Sequence, residues 1–162
     1  MARKSDPRFI LDLKGLDLSG LDLKRIDLLG ADLTGACLKG ANLARADLRE
    51  AILAQADLQK TNLAEAQLRA AKFMNANLTK AILAGADLLW ANLSDAVLRD
   101  ASLSWANLTG VDLVSADLRG CDFTGANLAA ADLRGARLAE ADFSEVKVNK
   151  LTQGLAGLRR RS

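Results

Sequence analysis

Residues 31–35 read Ala-Asp-Leu-Thr-Gly and residues 41–45 read Ala-Asn-Leu-Ala-Arg, the same five-residue unit with different outer residues. Leucine or a close substitute recurs at every fifth position from Leu13 to Val148, which makes 28 consecutive positions, 24 of them Leu. The residue two places earlier is Ala in 20 of 23 cases from Ala31 to Ala141. Asp or Asn stands between the two in 19 of the 28 repeats. The consensus A-(D/N)-L-x-x therefore fills residues 11–150 without an insertion.

A period of five residues fits neither regular secondary structure. A helix places its apolar residues about 3.6 positions apart, and a half-buried strand places them two apart. A helix would spread these leucines around the cylinder, and a strand would turn every second leucine outward. The pattern is consistent with a coil in which each unit forms one side, so that Leu and Ala always point inward.

The repeat resembles the pentapeptide-repeat family, as the units at 31–35, 41–45 and 126–130 illustrate, the last reading Ala-Asn-Leu-Ala-Ala. The resemblance implies an all-β fold: a right-handed quadrilateral β-helix with four repeats per coil, about seven coils, and short terminal caps. The expected domains are an N-terminal cap at 1–10, the β-helix at 11–150, and a C-terminal cap or short helix with a basic tail at 151–162. Stacked repeats of this kind bury a core only against their neighbours.

Both ends of a solenoid need covering, because an open coil exposes core and strand edges. At the N-terminus bulkier residues stand in the alanine position, and we expect them to plug the end together with two preceding residues: Leu11, Leu16, Leu21, Ile26, Phe9 and Ile10. At the C-terminus we expect three apolar residues to close the last coil: Val146, Val148 and Leu151. Thr152 is a candidate helix N-cap, with Leu155 and Leu158 on the core side; a frayed tail is the alternative.

The recurring Asp and Asn residues have a structural interpretation. A short side chain with a carbonyl oxygen accepts a hydrogen bond from nearby backbone in an Asx-turn. Because such a residue recurs in 19 of the 28 repeats, no set of carboxylates stands out as a metal site or a catalytic pair. Cys37 and Cys121 have no other soft ligand near them in the sequence, so they indicate neither a disulfide framework nor a metal site.

The composition argues against an enzyme. The chain has no His, no glycine-rich phosphate loop and no inserted loop that could form a pocket, and no catalytic constellation stands apart. We therefore expect no catalysis and no cofactor. No apolar run reaches the length of a membrane span, and the first residues lack the apolar core of a secretory signal, so the expected location is cytoplasmic.

Two tryptophans and a leucine occupy outward positions. Residues twenty apart stack on one face, and the face that begins at Ile26 carries Leu89 and Trp90 in the fourth coil. Trp105 lies at the corner that leads into the same face in the fifth coil. Large apolar side chains with no core to join are typical of interface centres. Leu89, Trp90 and Trp105 are therefore the predicted partner-binding residues, with packing of the rings flat on neighbouring small residues as the alternative.

A second candidate surface is a basic stripe on the face that begins at Leu16. One basic residue appears in each successive coil, at Lys39, Lys60, Lys80, Arg99 and Arg119, among several carboxylates. It is either a solvated face or a docking surface for an acidic protein. The net charge of +2 and the absence of interleaved aromatic residues argue against nucleic acid as a partner.

Three classes of function remain. A non-enzymatic module or scaffold that binds a protein partner of unknown identity, as a monomer or weak homodimer, fits the outward features best. The resemblance also implies a second class, a DNA mimic, because some relatives bind DNA gyrase and confer quinolone resistance. Those relatives are strongly acidic and favour Phe at the central position, whereas this chain is slightly basic and favours Leu. A structural solenoid without a strong partner is the third class.

Overall fold

The computed structural model describes residues 10–155. Within that range the chain forms neither a helix nor an extended strand, and only isolated parallel β-bridges join residues twenty positions apart, from Asp12 with Asp32 to Asn127 with Lys147. We call each twenty-residue segment a tier, so tiers one to seven span 11–30, 31–50, 51–70, 71–90, 91–110, 111–130 and 131–150. The five-residue segments within a tier lie on faces one to four, which begin in the first tier at Leu11, Leu16, Leu21 and Ile26.

The backbone of each repeat is bonded in two directions. Between tiers, the Leu33 N–H donates to the Ile52 carbonyl, and the Asp32 N–H donates to the Leu11 carbonyl. Within a tier, the Ala36 N–H donates to the Leu33 carbonyl across the corner. The same pattern repeats along the described chain, so the β-bridges hold the tiers in register and the turns set the corners.

The corner residue is the fifth of each repeat, and its backbone is left-handed. Every fifth residue from Gly15 to Glu145 has a positive φ, and seventeen of these residues are not glycine. A positive φ at the third position of a four-residue turn is the requirement of a type II turn. For a side chain other than glycine this conformation costs about 1–2 kcal/mol. The stacked hydrogen bonds and core must therefore offset a recurring local strain.

The core is a column of leucine and alanine side chains. From Leu28 to Leu133 nearly all the first and third residues of the repeats are fully buried. Phe123 and Phe143 continue one column as stacked rings, 5.0 Å apart between centroids. Where alanine is replaced by a polar residue, the new group finds a partner: the Thr61 hydroxyl donates to the Leu38 carbonyl at 2.7 Å. No buried side-chain nitrogen or oxygen among the described residues lacks a hydrogen bond.

The Asp and Asn residues form the predicted Asx-turns. The Asp17 side chain accepts a hydrogen bond from the Ser19 N–H at 3.0 Å, and Asn62 accepts one from the Ala64 N–H at 3.0 Å. The same contact to the backbone two residues later recurs at successive corners. In the repeats that carry them, these oxygens accept from the fourth-position N–H, which forms no hydrogen bond to another backbone group. Their role is therefore structural, as the sequence indicated.

The N-terminal tier is less closed than the sequence suggested. Leu13, Leu18, Leu23 and Ile26 pack against the core, but three first-position leucines remain exposed, at Leu11, Leu16 and Leu21. Ile10 is also exposed, and Phe9 lies outside the described residues. The first-position side chains have no tier beneath them, so bulk alone does not bury them.

The C-terminal end is covered by a cap rather than by a helix in the described residues. Gln153 forms a bridge with Asp132, one residue out of the twenty-residue register, and its N–H donates to the Ala131 carbonyl. The Thr152 hydroxyl donates to the Leu128 carbonyl at 2.8 Å. Thr152 therefore bonds the C-terminal segment to tier six and is not the predicted helix N-cap. Leu155 packs against the core, whereas Val148 and Leu151 stay exposed. Leu158 lies outside the described residues.

Candidate protein-interaction surface

Trp90 and Trp105 are exposed, yet each indole ring is held against a glycine one tier above. The two side chains are 64% and 63% exposed. A Cβ placed on Gly110 would lie 2.3 Å from a Trp90 ring atom, and one on Gly125 would lie 2.5 Å from a Trp105 ring atom. Each ring therefore occupies the space that a side chain on the glycine would need. The predicted alternative, flat packing on small neighbours, holds for one side of each ring, while the other side faces solvent.

The two rings border face four from opposite sides. Trp105 is the corner residue before the face-four segment 106–110, and Trp90 is the corner residue that ends the face-four segment 86–90. No ring contact joins the two tryptophans in the described chain, where the recorded ring pair is Phe123 with Phe143. Both residues border face four, as the twenty-residue register predicted, and they stand at opposite edges of it without contact between the two rings.

The surface between the two rings is uncharged. Its outward residues in tiers five and six are Asn107, Thr109, Gly110, Asn127, Ala129 and Ala130. Charged residues make up 26% of the chain. Interface centres are depleted in charge and enriched in tryptophan relative to the rest of a protein surface. We call these six residues, with Trp90 and Trp105, the neutral window.

The polar groups of the neutral window are fixed by hydrogen bonds. The Asn107 side-chain N–H donates to Asp87 at 2.9 Å, and the Asn107 oxygen accepts from the Thr109 hydroxyl at 2.8 Å. The Asn127 side-chain N–H donates to the Thr109 hydroxyl oxygen at 2.9 Å, which continues the chain of bonds up the face. Side chains ordered in this way lose less entropy when a partner binds.

Leu89 precedes Trp90 in tier four, one tier below the other face-four residues of the neutral window, and is only half-buried. Two ion pairs lie on face four beside and below it: Arg69 pairs with Asp87, and Arg49 pairs with Asp47. Leu89 therefore marks the lower boundary of the uncharged stretch of face four in tiers five and six, and Lys147 and Lys150 of tier seven mark its upper boundary.

The basic stripe is not a continuous run of free cations. Arg99 and Arg119 both bond Asp117, at 2.7 Å from the Arg99 Nε and 2.8 Å from the Arg119 guanidinium. Lys39, Lys60 and Lys80 are exposed and form no ion pair within residues 10–155. The stripe thus divides into a lysine half in the lower tiers and a neutralised arginine half in the upper tiers.

Asp117 is the most shielded carboxylate of the described chain, with 8% of its surface exposed. The Arg119 hydrogen bonds, with those from Arg99 and the Arg119 backbone, hold the pKa of Asp117 well below its usual range. A lowered pKa stabilises the fold at every pH above the unfolded value, about 4, and this contribution is lost as the pH falls below it.

We expect Asp117→Asn to lower the free energy of unfolding at pH 7 by about 1 kcal/mol, because two half-exposed arginines lose a shared anion. Urea unfolding at pH 7 and pH 3 checks this, and the difference between variant and wild type should shrink at pH 3. Asp132→Asn is the matched control, since Asp132 has one arginine partner, Arg134. An equal loss for both variants would contradict a role for the shared anion.

The described residues carry no constellation suited to catalysis or metal binding. No group of three or more His, Cys, Asp or Glu side chains between residues 10 and 155 could hold a metal ion. Cys121 is buried, and burial raises the pKa of its thiol to about 12, far from that of a nucleophile. A shallow open depression between Arg99, Asp100, Arg119 and Glu140 has balanced charge. Residues 10–155 contain no apolar helix of membrane-spanning length.

Comparisons with known proteins agree with the repeat. The sequence matches the family model described as pentapeptide repeats in 8 copies, over residues 12–50, 41–79, 51–88, 71–110, 86–125 and 121–150. No curated protein matches the sequence. Among solved structures, alr5209, a pentapeptide repeat protein from Nostoc Pcc 7120, is 38% identical over 58% of this chain and 78% of its own, with a TM-score of 0.52.

Two further structures cover more of the chain at lower identity. Rfr23, a pentapeptide repeat protein from the cyanobacterium Cyanothece 51142, is 24% identical over 88% of this chain and 86% of its own, with a TM-score of 0.51. QnrB1, a plasmid-mediated fluoroquinolone resistance protein, is 21% identical over 88% of this chain and 92% of its own, with a TM-score of 0.51. At these identities the similarity shows a shared fold and nothing more.

Proposed function

Because the chain belongs to the pentapeptide-repeat family, with the right-handed β-helix of that family, we propose that it is a non-enzymatic module that binds a protein partner through the neutral window. In this proposal the helix is quadrilateral, with about seven coils that correspond to the seven tiers. The observation that carries it is a pair of exposed tryptophans, each seated on a glycine, on either side of an uncharged strip.

Three features support this choice over the basic stripe. The two indole rings supply most of the exposed aromatic surface of the described chain, and tryptophan is the residue most enriched at binding hot spots. Their positions are fixed by Gly110 and Gly125, so little order is lost on binding. The upper arginines of the stripe, in contrast, already have an anion in Asp117.

We expect the double variant Trp90→Ala/Trp105→Ala to lose a partner that wild type retains in affinity capture from native lysate. Removing two hot-spot rings costs about 2 kcal/mol or more each in binding, or roughly thirtyfold in affinity per ring. Size-exclusion chromatography with light scattering on both proteins would show whether either self-associates. Retention of the same partner by the double variant would contradict the proposal.

Two matched variants separate loss of binding from loss of folding. Trp90→Gly/Trp105→Gly removes the rings but relieves the left-handed backbone at φ 60° and 59°, so it should fold at least as well as the alanine variant. Leu29→Ala removes a half-exposed leucine on the same face, three tiers below. It should leave capture unchanged.

A DNA-mimic role is the second candidate, and its support is the fold shared with QnrB1, a fluoroquinolone resistance protein. The charge distribution opposes it. The chain carries a net charge of +2, and several carboxylates are neutralised by arginines on the same surface. A mimic of duplex DNA needs a dense, uncompensated array of negative charge. Capture of DNA gyrase that survives loss of both tryptophans would favour this role.

A chain that captures nothing and stays monomeric would favour a third function, a structural solenoid without a strong partner.

A further inference from the structure

We infer that the occupant of the neutral window is an extended, proline-rich segment of the partner. This inference rests on the proposed function and adds the chemistry of the ligand. The window combines aromatic faces with N–H donors, and aromatic side chains are the surfaces on which polyproline II segments dock.

The free polar hydrogens of the window belong to four N–H groups. Neither indole N–H, of Trp90 or of Trp105, donates a hydrogen bond to any residue between 10 and 155. The Asn107 amide donates one of its two hydrogens to Asp87, and the Asn127 amide donates one to Thr109, so each retains one. The Asn107 oxygen is already occupied by the Thr109 N–H and hydroxyl. The side chains of the window therefore offer mainly donors.

A proline-rich segment complements such a surface. Proline has no backbone N–H, so a proline run presents carbonyl acceptors without competing donors. In the polyproline II conformation these carbonyls are solvated and free to bond, and the segment is ordered before it binds. Its rings are flat, apolar groups that pack on tryptophan faces. A segment lying across face four would meet Trp105 at one corner and Trp90 at the other.

Other occupants fit less well. A charged peptide would find no opposite charge between the two rings, since the nearest basic residues of face four, Lys147 and Lys150, lie one tier above the window. A second copy that presented the same window would set N–H donors against N–H donors. Both rings are packed against glycines, Gly110 and Gly125, and have little room to change position. This favours a ligand with a fixed conformation over one that requires the rings to move.

Intrinsic fluorescence gives a direct test, because the chain has two tryptophans and no tyrosine. We would titrate wild type with end-capped decaproline and, in parallel, with an end-capped (Gly-Ser)5 peptide. The expected result is a saturable change in tryptophan emission with decaproline and none with (Gly-Ser)5. In Trp90→Gly, where Trp105 still reports, the apparent affinity should fall about tenfold or more. Leu29→Ala should titrate as wild type does.

A flat decaproline titration overturns the inference, and so does an equal response to both peptides. An emission change on raising the protein concentration alone, with a dimer mass by light scattering and no response to decaproline, assigns the window to a second copy instead. A response to cello-oligosaccharide but not to decaproline assigns it to carbohydrate. If capture of a partner still requires both tryptophans while decaproline has no effect, the proposed function stands and this inference fails.

Discussion

Replacing Leu78 with alanine is expected to lower the free energy of unfolding by about 2–5 kcal/mol. Leu78 is fully buried in tier four, in the middle of the leucine column of face two. Its loss removes apolar contacts with the tiers on either side and leaves a cavity that the bridged backbone cannot close by shifting. Urea unfolding followed by circular dichroism measures the change.

The matched control is Leu29→Ala, since Leu29 is half exposed and contributes little to the core. Surface changes of this kind alter stability by about 0.5 kcal/mol or less. A loss for Leu78→Ala no larger than that of Leu29→Ala would contradict a core built from stacked leucines.

Replacing Gly154 with alanine is expected to release the C-terminal cap. A Cβ on Gly154 would lie 2.2 Å from the Leu133 carbonyl carbon and 2.6 Å from the Arg134 nitrogen, both backbone atoms that cannot move aside. The backbone at φ 84° adds strain for any side chain. Hydrogen exchange would report the change as lost protection of the Gln153 N–H, which donates to Ala131, and of the Leu133 N–H, which donates to Gln153.

Gly35→Ala is the control for this prediction. Gly35 has a similar left-handed backbone, φ 65°, but no atom lies within 4 Å of the position of its Cβ. We expect it to cost about 1 kcal/mol through the backbone alone and to leave the cap protected. Normal exchange protection of Gln153 in Gly154→Ala would contradict the assigned role of the cap.

The course of the chain could be predicted because the five-residue repeat fixes which residues point into the core. With leucine at every fifth position, any other placement of the backbone would expose part of the column. The Asp and Asn side chains were predictable for the same reason, since only a short acceptor reaches the backbone two residues on, as Asp17 does with Ser19.

The left-handed corners were missed, although the sequence held a signal for them. Ten of the twelve glycines stand at the fifth position of a repeat, and the structure gives all of them a positive φ. Trp90 and Trp105 occupy this same position, so they stand at the corners of the helix and not on its flat faces. Offsets of twenty residues would have paired Trp90 with Gly110 and Trp105 with Gly125, since a large corner residue needs a small one above it.

The repeat pattern does not predict contacts that fall outside the twenty-residue register. Arg99 reaches Asp117 by an offset of eighteen residues, because its long side chain crosses from the fourth position of a repeat in tier five to the second position of the repeat above it in tier six. Gln153 pairs with Asp132 at an offset of twenty-one. Such contacts depend on where a flexible side chain or a chain end settles, and the period does not specify that.

The measurement that tests the central claim most directly is a parallel affinity capture with two surface variants, at low and high salt. One variant, Trp90→Gly/Trp105→Gly, lacks the rings of the neutral window. The other, Lys60→Ala/Lys80→Ala, lacks two free cations of the basic stripe. We predict that the partner is lost with the tryptophan variant alone and that its capture by wild type depends little on salt, because the window is uncharged. Capture that persists without the tryptophans, but is lost with the lysine variant or at high salt, would contradict the account and assign binding to the basic stripe.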